Sequence, residues 1–342
     1  MTLLTSIVLR RTGFVAVIIL LVSVFVSGQS GPEKVSVEKC AGLHCELSGS
    51  GDPIIALHGL GASLYSWREL VGKIPNHRLI LIDFRGAGKS IKPRDKHYSS
   101  QHQAELIYQY IREKDLKNLT LMGNSYGGAV ALLVTLKLIN TPEDKRRLSR
   151  LILIGSGAYE HDQPGHLKLL RTPIIGRLLT FLVPRIGMKK VLKESYYDKC
   201  GITDEQIDAY LEPISSSAGR YALVQTAKQA VPKNIKEITE KYPTIEVPTL
   251  ILWGEDDRIL SAKKTACRLD KDIGPSTLVV IKYAGHVPQE EQPAATICQI
   301  NLFLGSNIPC PPQVPRAPDP SRRCKPRVPP KDPFKECPVK KQ

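Results

Sequence analysis

Three residues far apart in the chain have the types and the order of a nucleophile, an acid and a base. Ser125 lies in Gly123-Asn124-Ser125-Tyr126-Gly127-Gly128, Asp257 in Trp253-Gly254-Glu255-Asp256-Asp257-Arg258, and His286 in Tyr283-Ala284-Gly285-His286-Val287-Pro288. A serine hydroxyl is a poor nucleophile at neutral pH. It needs an imidazole to take its proton, and the imidazole needs a carboxylate that fixes its tautomer and stabilises its charged form. As a bare string G-x-S-x-G is weak, because Gly and Ser are common residues. Its setting carries more: an apolar run before it and a helical stretch at 129–138 after it make a sharp strand-to-helix turn. Such a turn exposes the hydroxyl, while Gly123 and Gly127 let neighbouring backbone pass close by. Of the two adjacent aspartates, Asp257 is the expected partner of His286, three residues after Gly254 and followed by Arg258-Ile259, with Asp256 as the alternative. Singly, His286 reads as a packing contact and Asp-Asp as a turn or helix cap. Jointly, order and strand context point to acyl chemistry.

That chemistry also requires backbone N–H groups aimed at the charge that develops on the carbonyl oxygen. Tyr126, next after the nucleophile, supplies one. The loop His58-Gly59-Leu60-Gly61-Ala62-Ser63 offers the second through Leu60, with His58, Gly59 and Gly61 shaping its path. This glycine-rich loop matches neither G-x-x-x-x-G-K-[ST] nor G-x-G-x-x-G, so a phosphate cradle is not expected. No Cys-x-x-Cys or Cys/His cluster stands at zinc spacing, and no metal is expected.

The scaffold that must position these residues is legible as a rhythm. Near-continuous apolar runs recur at 53–57 (PIIAL), 78–83 (RLILID), 119–123 (LTLMG), 150–155 (RLILIG), 249–253 (TLILW) and 277–281 (TLVVI). Unbroken runs of this kind suit strands buried on both faces, as in a parallel sheet covered by helices. The fold class is therefore α/β, and the candidate residues fall at strand C-terminal ends, where open α/β sheets keep their sites. The interval 159–248 is too long for a simple crossover. It reads as helical at 167–182, 188–196, 203–218 and 220–230, an inserted cap between a first core part (29–158) and a second (249–305).

With Asp83-Phe84-Arg85-Gly86-Ala87-Gly88-Lys89-Ser90 after the second run, the chain carries five motifs that resemble the α/β-hydrolase superfamily, in its order, across 34–305. The resemblance implies an eight-stranded, mostly parallel sheet with a helical cap, serine hydrolysis and no cofactor. The expected reaction is cleavage of a carboxylic ester with a hydrophobic acyl part, by an esterase or lipase. The GNS-x-GG elbow is also similar to the meta-cleavage product hydrolases, which break carbon–carbon bonds, although those usually carry Trp where this chain has Val287. A C–C or amide hydrolase with the same residues is therefore the alternative. Superfamily members with an Asp nucleophile are disfavoured by Ser125. A different class remains open: a ligand-binding or surface-attached protein that keeps the fold without catalysis.

Both ends of the chain differ from this body. Residues 1–28 hold Arg10 and Arg11, an apolar run at 14–26 and a small-residue site, the layout of a secretory signal. The run is short for a membrane span, so an uncleaved anchor is the alternative. Export, to a periplasmic, secreted or cell-surface location, fits eight cysteines (Cys40, Cys45, Cys200, Cys267, Cys298, Cys310, Cys324 and Cys337), which are expected to form disulfides. Residues 306–342 contain 11 of the 26 prolines, with 9 Lys/Arg against 3 acids, and read as a disordered, extended basic tail. This tail accounts for 6 of the formal charge of +15, and it suits an anionic membrane or cell-wall surface, unless it is only a solvated arm held by its cysteines. The aliphatic cap stretch 167–184 reads first as the cap's packing face on the sheet, with an acyl pocket, or a lipid contact that sets Lys168, Arg171, Arg177 and Arg185 against phosphate headgroups, as the alternative. Aromatics at 6% and the lack of a recognisable module argue against nucleic acid. The sequon at Asn118 abuts the strand leading to Ser125, and burial is expected to leave it unmodified.

Overall fold

A computed structural model describes residues 35–160, 184–307, 309–314, 334 and 337. The expectations for 1–28, for the helix at 167–182 and for most of 306–342 lie outside these residues.

All six apolar runs form strands of one eight-stranded sheet. In chain order its strands are β1 (Ser36–Cys40), β2 (Leu43–Gly49), β3 (Asp52–Leu57), β4 (His77–Ile82), β5 (Leu119–Asn124), β6 (Leu148–Ile154), β7 (Thr249–Gly254) and β8 (Ser276–Ile281). The spatial order is β1-β2-β4-β3-β5-β6-β7-β8, with every pair from β4 to β8 parallel. The β1–β2 pair and the β2–β4 pair are antiparallel. The β1–β2 hairpin has no continuous apolar run to announce it. It is set by a two-residue turn in which Ala41 and Gly42 both take positive φ, and by the Cys40–Cys45 disulfide.

Burial on both faces explains the unbroken runs. Ile55, Leu57, Leu151 and Leu153 pack on one side with α1 (Ser100–Glu113) and α2 (Tyr126–Ile139). Their alternates Ile54, Ala56, Ile152 and Ile154 pack on the other with Trp67, Leu70 and Ile300. Each such aliphatic side chain stabilises the fold by about 1.5–3 kcal/mol relative to exposure. α2 is buried around most of its circumference, which is why its sequence shows no polar face. β8 departs from the pattern: it is the edge strand, and Leu278, Val279 and Val280 are only half-buried.

Between β6 and β7 the described chain is helical: α3 (Pro184–Ser195), α4 (Asp204–Leu211), α5 (Ser217–Gln229) and α6 (Ile235–Thr239). The single helix expected at 203–218 is instead broken. Thr203 caps α4 with a capping box, Pro213 lies in a short 3-10 turn, and Ser216 starts α5 as its N-cap. α7 (Cys267–Asp272), α8 (Pro288–Glu291) and α9 (Pro293–Phe303) complete the second half. Where the C-terminal segment is described, it is tied down: Cys310 bonds Cys298 in α9, Cys337 bonds Cys267, and Phe334 packs on the core. Asn118, expected to be shielded, is exposed in a positive-φ turn, while Thr120 is buried.

Candidate active site

The strand order reverses at β3, whose neighbours are β4 and β5. Loops diverge there and leave a crevice at the strand C-termini, and the chain fills both sides of it with the HGLGAS and GNSYGG loops.

Ser125 sits between β5 and α2 with φ 54° and ψ −117°, a conformation L residues avoid. Backbone hydrogen bonds hold it there. Its N–H donates to Ile154 O at 3.0 Å, and its carbonyl accepts from Gly128, Ala129 and Gly157. Tight packing explains the flanking glycines: a Cβ at Gly127 would run into the Leu57 carbonyl, and one at Gly123 into the Gly127 backbone.

On the opposite wall, His286 Nδ1 is 2.8 Å from Asp257 Oδ2, with both side chains almost fully enclosed. The other carboxylate oxygen accepts from Ile259 N–H and Leu260 N–H, each at 2.9 Å. Those two bonds orient Asp257, and Asp257 in turn makes Nδ1 the protonated nitrogen, leaving Nε2 free to act as base. Asp256 instead pairs with Arg258 at 2.6 Å, so geometry selects Asp257 of the two. Gly155, at φ +48, leaves room for this pair: an added Cβ would stand 3.0 Å from His286 O and 3.2 Å from its Nδ1.

The residues expected to donate the two amides share one cavity. Leu60 and Tyr126 border the same cavity as Ser125 and His286. Tyr126 N–H opens α2, a position without an intrahelical acceptor. Leu60 N–H is aimed through its own peptide group: His58 Nδ1 bonds the Gly59 carbonyl at 2.8 Å, and in a trans peptide the N–H points the opposite way. His58 Nε2 accepts from Phe84 N–H, which makes this a neutral imidazole, and burial lowers its pKa against the pull of Asp83. Asp83 itself binds Leu64 N–H and Lys89 N–H at 2.8 Å, so the D-x-R-G-x-G-x-S loop braces the HGLGAS loop. Gly61 takes positive φ beside Leu223.

The cavity holds about 660 Å³, in the range of small-molecule sites. Its walls are largely aliphatic, including Leu133, Met188, Val191, Leu223, Ile235 and Ile238. Among the described residues no group of His, Cys, Asp and Glu is placed to hold a metal.

Several residues that position the site had no assigned role in the sequence. Asn124 donates to both Ile154 O and His286 O, at 3.0 and 3.1 Å, tying the two walls together. His286 N–H donates to Ser195 O at 2.6 Å, at the end of α3. Glu290 is fully buried and accepts from Arg68 Nη1 at 2.6 Å, Tyr196 OH at 2.9 Å and Tyr210 OH. Burial raises its pKa, and Arg68 with the two tyrosines opposes that rise. Glu291 accepts from Gly285 N–H at 2.5 Å and Asp198 N–H at 3.1 Å, and burial pushes its carboxyl up to about 8 against those donors. The only local signal for these two was a pair of acids four and five residues after His286.

A serine on a strained elbow and a histidine–carboxylate pair, bordering one cavity with Leu60 and Tyr126 on an α/β sheet, have the arrangement of a serine hydrolase site. Residues 52–293 match the alpha/beta hydrolase fold family, and the chain belongs to it. It is 25% identical over 279 residues to a 2-hydroxy-6-oxononadienedioate/2-hydroxy-6-oxononatrienedioate hydrolase of Cupriavidus pinatubonensis, covering 77% of this chain and 91% of that one. A 2-hydroxy-6-oxo-2,4-heptadienoate hydrolase of Pseudomonas putida is likewise 25% identical, over 75% of this chain and 91% of that one. Among solved structures, a serine hydrolase involved in carbazole degradation (CarC enzyme) superposes with a TM-score of 0.63 at 25% identity, over 80% of this chain and 98% of that one.

Proposed function

We propose that the chain is a serine hydrolase that cleaves a carbon–carbon bond next to a ketone in a small substrate with an apolar flank. The observation that carries the hydrolase reading is the Asp257–His286 pair facing a strained Ser125 across one apolar cavity. Ser125 Oγ adds to the carbonyl as His286 Nε2 takes its proton, the Leu60 and Tyr126 amides hold the oxyanion, and His286 returns the proton to the leaving group. Water then releases the acyl group by the same route. The choice of bond rests on the relatives, whose names specify 2-hydroxy-6-oxo-dienoate skeletons. In such a skeleton the departing carbon leaves as a delocalised dienolate, which makes a carbon leaving group feasible. The ester reaction expected from the sequence therefore becomes the second reading.

Two observations keep that second reading in play. Val287 stands where the carbon–carbon hydrolases usually carry Trp. Among the described residues that line the cavity, the one lysine or arginine is Lys190, at an exposed position, whereas an enclosed dienoate carboxylate needs a paired cation. The test is to follow loss of 2-hydroxy-6-oxo-6-phenylhexa-2,4-dienoate absorbance, beside a p-nitrophenyl ester series, with Ser125→Ala and His286→Ala as controls. Serine-dependent turnover of the dienoate supports the first reading, and turnover of esters alone replaces it with the second. Absence of both, with no labelling by a fluorophosphonate, returns the chain to the non-catalytic binding class.

We also propose that the protein works outside the cytosol. The layout of residues 1–28 and the disulfides at Cys40–Cys45, Cys267–Cys337 and Cys298–Cys310 support this. No described helix is long and apolar enough to cross a membrane. Fractionation of the native host, with mass determination of the mature N-terminus, tests it.

A further inference from the structure

We propose that the outer face of α3 docks the protein onto an anionic phospholipid surface. This goes beyond the reaction above and does not depend on which bond is cleaved. At 100° per residue the helix divides into two faces. Gly187, Met188, Val191, Leu192 and Ser195 line the cavity. Arg185, Ile186, Lys189 and Lys193 share an outer arc of about 100° and are exposed, and Lys190 stands at its border, exposed while also lining the cavity. No acid falls within that arc.

Ile186 is 75% exposed, the most exposed of the large apolar side chains among the described residues. Helical spacing sets it between Lys190 and Lys193, with Lys189 one turn on. Arg185 is outweighed by two carboxylates, Asp204 at 2.9 Å and Asp208. Lys189, Lys190 and Lys193 form no ion pair among the described residues, so three ammonium groups surround one solvated aliphatic side chain. At a lipid interface it enters the acyl boundary while the lysines reach the phosphates, the division of labour of an interfacial amphipathic helix. Charge complementarity selects anionic lipid over a neutral membrane. Since the inner face of the same helix walls the cavity, docking here places the site against the membrane.

The experiment uses the full mature chain with phosphatidylcholine vesicles and with equimolar phosphatidylcholine/phosphatidylglycerol vesicles. The wild type is expected to co-sediment with the mixed vesicles and not with phosphatidylcholine alone. Each lysine near an anionic surface is worth about a fivefold change in partitioning, so Lys189→Gln/Lys193→Gln weakens binding by roughly 25-fold, with the thermal midpoint unchanged as the control for folding. An Ile186→Trp variant reports insertion. The two native tryptophans, Trp67 and Trp253, are fully buried, so quenching by brominated acyl chains reads position 186. Undiminished binding by the double lysine variant overturns the proposal and moves docking to the basic segment 306–342. Binding without quenching at position 186, or equal binding to a soluble acidic polymer, reduces the face to a non-specific cation patch and overturns it too.

Discussion

Replacing Glu290 by alanine is expected to loosen the helices over the cavity before it affects the chemistry. The carboxylate has no exposed surface, and it joins Arg68, just after the HGLGAS loop, to Tyr196 at the end of α3 and Tyr210 in α4. Alanine leaves two tyrosine hydroxyls in a buried site without their acceptor, at about 1 kcal/mol or more each. It also takes the buried carboxylate from Arg68, which keeps Glu69 at 3.6 Å. Breaking a buried pair in this way costs about 3–5 kcal/mol, but the Arg68 side chain is 24% exposed and recovers part of this through water. The sum is about 4 kcal/mol, or roughly 6–7 °C in Tm for a domain of this size. Thermal and urea unfolding with disulfides intact measure it. A double-mutant cycle with Arg68→Met should show a coupling of at least about 1.5 kcal/mol. Because Tyr196 and Tyr210 line the cavity, KM should rise more than kcat falls. A loss below about 1 kcal/mol, or a cycle without coupling, would refute the argument, since the donors would then have found other partners.

Three further outcomes follow from the site. Ser125→Ala and Ser125→Gly should both abolish turnover, yet the glycine variant should be the more stable by about 1 kcal/mol because only alanine keeps the side-chain strain at φ 54°; equal melting temperatures would mean the elbow is unstrained. Glu291 carries a carboxyl raised from 4.5 to about 8 by burial, so the folded state binds more protons than the unfolded one between those values, and stability falls as pH rises through that window. Glu291→Gln should remove this slope, and a difference in Tm between the two proteins that stays constant from about pH 5 to about pH 8 would contradict it. Asn124→Ala takes the donor from the His286 carbonyl, while Ile154 O keeps Ser125 N–H, and should cost about 1–3 kcal/mol with a fall in kcat; unchanged kcat would show that His286 is held without it.

The strands and the elbow were legible because each is a local pattern. A strand buried on both faces must be apolar at every position, so β3, β5, β6 and β7 announce themselves. β1 and β2 face a core on one side only, and their pairing is decided by a turn and a disulfide. The helix expected at 203–218 failed for a related reason: apolar spacing continued through Pro213 and Ser216, and backbone capping outweighed it.

Residue type and order were enough to nominate Ser125, Asp257, His286, Leu60 and Tyr126, since a nucleophile, an acid and a base in that order, each after a strand, are few in any chain. What they could not do was separate Asp257 from Asp256, adjacent and chemically alike. A 2.8 Å hydrogen bond to His286 separates them, and it exists only once β7 and β8 lie side by side. Arg68 and Glu290 are 222 residues apart in sequence, and their pairing has no local signature at all. Periodicity records which face of an element is buried. Which polar group meets which in that interior is a property of the tertiary structure, because desolvation leaves each one only the partners the fold brings within reach.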